Sequence, residues 1–186
     1  EEGVRTYAES LWGRDFFTFG EVWSHSEADG FSGELEMKQF LRTDTYEGVD
    51  AVLNFPLQQT LTRVFAEHAS PVELAYRLRI QSEVFNDPSR QLVNFIDNHD
   101  MARFRSLTSE ASTRQALLTL LSIPGIPVIY QGTEQGDLLP RENLFDRFDV
   151  QSEQFLWLKS AIAWRKAHPV ISRGKLQSAE VVGSTS

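Results

Sequence analysis

Helical and extended patterns alternate along the whole chain, and that order constrains the fold more than any single motif does. "VRTYAESLW" sets Val4, Ala8 and Leu11 at helical spacing ahead of Gly13, and "DFFTFGEVW" follows as a short β-prone run. "GELEMKQFL" reads as a short helix, "DAVLNFP" as a second strand closed by Pro56, and "LQQTLTRVFAEH" follows it. In "SPVELAYRLRIQSEVF", Ser70 is placed to cap a helix, Pro71 suits its first position and Glu73 completes a capping box. "QLVNFID" is a third strand, and "STRQALLTLLS" a helix with Ser112 and Gln115 at capping-box spacing that Pro124 and Gly125 terminate. "IPVIYQG" is the fourth strand, and "SEQFLWLKSAIAWRKAH" a last long helix that Pro169 stops.

Strands that alternate with helices call for right-handed crossovers and a parallel sheet. In each strand the apolar run comes first and polar residues close it, in Gly20-Glu21, Asn54, Asp97 to Asp100 and Gln131-Gly132. Ligands of parallel α/β folds bind beyond the carboxyl ends of the strands, so the chemistry is expected along one rim.

Composition narrows the partners. With 186 residues the chain is long enough for one domain with a real core. A net charge of −8 disfavours nucleic acid and anionic membrane surfaces. No run reaches the roughly 18 apolar residues of a membrane helix. There is no cysteine, which excludes disulfides, thiolate metal sites and a Cys nucleophile but leaves the compartment open. The chain begins at "EEGVRTYAESL" inside a helical pattern and stops at "KLQSAEVVGSTS" where a strand pattern is starting, so a piece of a longer protein is expected.

Glu21 leaves the run "FFTFG", with Phe19 and Trp23 as neighbours. An aromatic wall would raise its carboxyl pKa and suit a general acid; a strand-end carboxylate that caps the next loop is the plainer reading. Asp100 has the same two readings. Together, two carboxylates on one rim meet the requirement of glycoside hydrolysis, and His99 adds a donor for a sugar hydroxyl. Asp97, Asn98, His99 and Asp100 do not suggest a metal, because adjacent strand residues point to opposite faces. "GTEQG" lacks the Lys and Ser or Thr of a phosphate loop.

"FGEVW" at 19–23, "FIDNHD" at 95–100 and "GIPVIYQGTEQG" at 125–136 resemble three consecutive signatures of the α-amylase family of glycoside hydrolases, in the family's order. "GVDAVLNFPLQQTL" looks like its sixth-strand region. The resemblance implies the C-terminal half of a (β/α)8 TIM barrel, strands 5 to 8 with their helices, over residues 1–175. Residues 176–186 would then start a β-rich C-terminal domain.

By that resemblance Glu21 is the acid/base, and Asp100 is the carboxylate that stabilises the transition state. His99, Asp137 and Arg141 would contact sugar, with Trp23 as a stacking platform or as loop packing. Asp97 and Asn98 are expected to hold the loop, and Arg103 to pair with a carboxylate. The family's nucleophile, an Asp after the fourth strand, has no counterpart here, and neither Asp15 nor Asp29 lies in a matching motif. The expected activity is therefore that of a parent enzyme: retaining hydrolysis of α-1,4-glucans, with the chain alone inactive. Transglycosylase, α-glucosidase, sugar isomerase or non-catalytic sugar-binding relatives are the alternatives. The segment itself implies no cofactor, although the family allows Ca2+ in the parent. Open barrel edges imply self-association, and analogy favours an exported parent.

Overall fold

The computed structural model describes residues 2–144 and 146–183. Helix α1 (Glu2–Trp12) leads into β1 (Phe19–Gly20), followed by α2 (Ser32–Lys38), β2 (Ala51–Leu53), α3 (Phe55–Phe65) and α4 (Pro71–Val84). Next come α5 (Pro88–Gln91), β3 (Leu92–Asn94), α6 (Phe104–Leu107), α7 (Glu110–Ser122), β4 (Ile126–Pro127), a 3-10 turn at Thr133–Gln135, α8 (Glu153–Ala167) and α9 (Pro169–Arg173). The strands form one parallel sheet in the order β1-β2-β3-β4, with Gly20 opposite Val52, Val52 opposite Leu92, and Val93 opposite Ile126. This is the parallel sheet that the alternation predicts.

The strands are shorter than their apolar runs. The edge strands β1 and β4 pair on one side only among the described residues, and Pro127 has no N–H to give. The ladder nevertheless continues past β4, where the Val128 N–H donates to the Asn94 carbonyl at 2.7 Å.

Alternation along the strands divides the sheet into two faces. Val52 and Leu92 turn to the helices, packing with Met37, Leu41 and Phe85. A second cluster, Leu57, Leu61, Ile96, Phe104, Leu117 and Leu120, fills the space between α3, α7 and the end of β3. By parity Phe19, Glu21, Leu53, Val93 and Phe95 point to the opposite face.

Helix starts follow local chemistry. Asn54 caps α3 by accepting the Leu57 N–H, and Ser70 caps α4 by accepting the Val72 N–H with Pro71 in the first turn. Glu73 departs from the expected capping box: its carboxylate takes two bonds from Arg63, at 2.7 and 3.0 Å, instead of reaching back to Ser70. The cap of α7 is Ser109, which accepts the Ser112 N–H at 3.1 Å, so this helix begins ahead of the predicted Ser112. Residues 175–183, where a strand is expected to start, form no helix or strand, and residues 184–186 lie outside the described set. No described helix is long and apolar enough to cross a membrane.

Candidate active site at the carboxyl ends of the strands

The four strand ends do not have the same environment. Asn54 is fully buried, exchanging amide hydrogen bonds with Gln81 and donating to Asn94 at 2.8 Å, so the end of β2 is a structural knot. Asp97 is buried as well. Its Oδ2 accepts the Phe104 N–H at 2.8 Å and its Oδ1 the Arg103 guanidinium at 3.3 Å. Burial pushes the Asp97 carboxyl up, against those two partners, which hold it down. Asn98 accepts the Asp100 N–H at 2.8 Å and fixes the turn. Both residues hold the loop, as the sequence predicts.

His99 and Asp100 emerge from that turn into solvent. Asp100 Oδ2 lies 3.1 Å from His99 Nε2, and its Oδ1 accepts from Arg141 Nη2 at 3.0 Å. Arg141 Nε also donates to the His99 carbonyl at 3.3 Å. Three of the predicted site residues, from two loops 41 residues apart, therefore meet at one point. An exposed carboxylate held by an imidazole and a guanidinium offers both acceptors and donors to a polyhydroxylated ligand.

Glu21 and Trp23 stand apart from this cluster. β2 separates β1 from β3, which puts the strands roughly 10 Å apart. Glu21 is exposed, with no hydrogen-bond or ion-pair partner among the described residues. The aromatic wall expected around it does not close: Phe19 and Trp23 are about half exposed. Trp23 packs on Phe55 at 4.7 Å and gives its indole N–H to His25 at 3.0 Å, while Phe55 meets Phe95 edge-on at 5.1 Å. Phe19 lies in the edge strand β1, which pairs on one side only among the described residues.

Asp137 also differs from expectation. Its side chain is only 3% exposed and pairs with Arg147 at 3.1 and 3.3 Å, whereas Asp100 is 42% exposed. The sugar contact expected of Asp137 alongside Arg141 finds no open carboxylate in this arrangement. Sequence reasoning missed Tyr130, whose hydroxyl donates to the Pro140 carbonyl at 2.8 Å and whose ring lies 4.5 Å under the Arg103 guanidinium. Only the strand-end position of "IYQG" hinted at it. A cavity of about 230 Å3 lies behind these loops, reached by Asp97, Thr133 and Asp137 and by none of Glu21, His99, Asp100 or Arg141.

Similarity to known proteins agrees with this geometry. The profile of the family described as Alpha amylase, catalytic domain, matches residues 2–155. A cyclomaltodextrin glucanotransferase of Paenibacillus macerans is 30% identical over 177 residues, which is 91% of this chain and 24% of that protein. An α-amylase of Saccharomycopsis fibuligera is 37% identical over 112 residues, 59% of this chain and 21% of that one. The crystal structure of CldA, a cyclomaltodextrin glucanotransferase, superposes with a TM-score of 0.69 at 27% identity, covering 91% of this chain and 35% of its own. The chain thus spans about a quarter of the length of the curated relatives it matches. With four parallel strands in barrel order and the motif residues at their carboxyl ends, the chain belongs to the α-amylase family, as part of its catalytic domain.

Proposed function

We propose that the chain is the C-terminal half of a (β/α)8 barrel, strands five to eight, from a retaining enzyme acting on α-1,4-glucans such as starch and maltooligosaccharides. Glu21 is the acid that protonates the leaving oxygen and the base that then activates water, and Asp100 binds the distorted sugar most strongly in the transition state. His99 and Arg141 contact the same sugar, and Trp23 offers a stacking face. The nucleophilic Asp is assigned to a segment outside these residues, and any Ca2+ of the parent likewise. Residues 176–186 are read as the start of a β-rich C-terminal domain.

The observation that carries the reading is the meeting of His99, Asp100 and Arg141 on the rim that β1 also reaches with Glu21. The glucanotransferase relative, matched over nearly the whole chain, supports transfer to a sugar acceptor as the second reading of the same site. The 186-residue chain is expected to bind maltoheptaose, to lose that binding in Asp100→Asn, and to show no hydrolysis above background. Hydrolysis by the pure chain that Glu21→Gln abolishes would show that the reaction needs no outside nucleophile and would sink the half-site assignment.

A further inference from the structure

We infer that Asp137 is a positioning residue rather than a sugar ligand: together with buried Arg103 and half-buried Tyr130 it forms a framework that sets Arg141 on Asp100. Charges alternate through the framework. Asp97 at the end of β3 pairs with Arg103, and Arg103 Nη2 donates to the Gln131 carbonyl at the end of β4. Gly132 follows, at φ +89°, and the point its Cβ would occupy is in contact with both the Arg103 guanidinium and the Asp137 carboxylate. Arg103 and Asp137 thus face each other across a residue that must be glycine, for space and for backbone conformation. Beyond Asp137 comes Arg147, which also pairs with Glu142 at 3.4 Å.

This arrangement fixes the loop at two points on either side of its tip. Tyr130, stacked against Arg103, holds the Pro140 carbonyl immediately before Arg141. Asp137, buried to 6% exposure, holds Arg147 after it. Arg141 itself is 70% exposed and gains no order from packing, so its contact with Asp100 depends on where the loop is held. Two of the roughly four acceptor positions of the Asp137 carboxylate are taken by Arg147, and the side chain is only 3% exposed to any ligand.

The functional weight of this placement rests on the reading of Asp100 and Arg141 given above, but its test does not need sugar. In the 15N-labelled chain, the Nε–H group of Arg141, assigned through Arg141→Lys, reports its order directly. In the wild type it is expected to be ordered. In Asp137→Asn its order parameter should fall below about 0.6, with the indole signal of Trp157 unmoved as proof of an intact fold. Arg147→Gln, at a half-exposed position, should loosen Arg141 in the same direction and decides the matter if Asp137→Asn does not fold. An Arg141 equally ordered in every folded variant, or already disordered in the wild type, overturns the inference. Maltoheptaose separates the two levels of the argument. If Asp137→Asn weakens sugar binding while Arg141 stays ordered, Asp137 is a direct ligand and the inference fails. If Arg141 loosens but no variant binds sugar, the positioning role stands and the sugar reading falls.

Discussion

Asp50 lies at the amino end of the sheet, away from the chemistry, where Arg5 donates to it at 2.7 Å, the Thr18 N–H at 2.8 Å, and Arg42 approaches to 3.0 Å. Burial acts to raise its carboxyl pKa, yet the Arg5 hydrogen bond, the Thr18 N–H and the two positive charges together hold it below the usual value of 3.8. A carboxylate depressed in the folded state stabilises that state above its unfolded pKa, and the contribution disappears as pH falls through the folded value. Arg5→Gln is therefore expected to cost about 1 kcal/mol at neutral pH, with the gap to wild type closing below pH 3.8. Urea unfolding at a series of pH values measures this; a gap that stays constant into acid would mean that Arg5 acts through packing alone. The same scale shows what the sequence could and could not reveal. His99 and Asp100 are legible because a run of polar residues after a buried strand has few structural uses. The burial of Asp137 was not legible, since it depends on Arg103, which meets it across Gly132, and on Arg147, which pairs with it, coming together only in the folded chain.

At the level of elements, helix order and most helix starts were legible, because Ser, Asn and Pro act on their own neighbours within a turn. The end of α7 at Ser122 was legible from Pro124, but what satisfies that end was not. Its carbonyl groups are satisfied from α8, where Arg165 Nη1 donates to the Leu121 and Ile123 carbonyls at 2.8 and 3.0 Å and Nη2 to that of Gly125 at 2.7 Å. These contacts span 40 to 44 residues, beyond the reach of any local pattern. The arrangement puts a positive charge on the negative end of a helix and supplies the carbonyls that α7 leaves open, which locks α7, the entry to β4 and α8 together. Arg165→Met keeps the aliphatic stem but strands buried carbonyls, and is expected to destabilise the chain by about 3 kcal/mol. Arg165→Lys should recover only part of this, because one ammonium group cannot match a fork of three bonds. Full stability of Arg165→Met in thermal unfolding would show that water satisfies the α7 end just as well.

Across the whole molecule, the sheet is an open arc. β1 and β4 each have one free edge among the described residues. Beside β1, large apolar side chains are left in water: Tyr7, Leu11, Trp12, Phe16, Phe17 and Phe19 are each 40% or more exposed. Trp12 and Phe16 stack on one another at 6.1 Å, and Phe17 meets Phe19 at 6.4 Å, so these rings form a patch rather than scattered exceptions. An unpaired parallel edge next to an apolar patch is a template for another chain, and in solution the 186-residue chain is expected to self-associate through it. Sedimentation velocity over a concentration series should show species larger than the 21.2 kDa chain that grow with concentration. Phe17→Lys places a charge in the patch outside the sugar-binding residues and should shift the population toward monomer. A chain that remains monomeric throughout the series would mean that the arc closes on itself or is screened by its own loops. A chain that associates equally in wild type and Phe17→Lys would place the contact on the β4 and α8 side, where Leu156, Trp164 and Val170 are the exposed apolar groups.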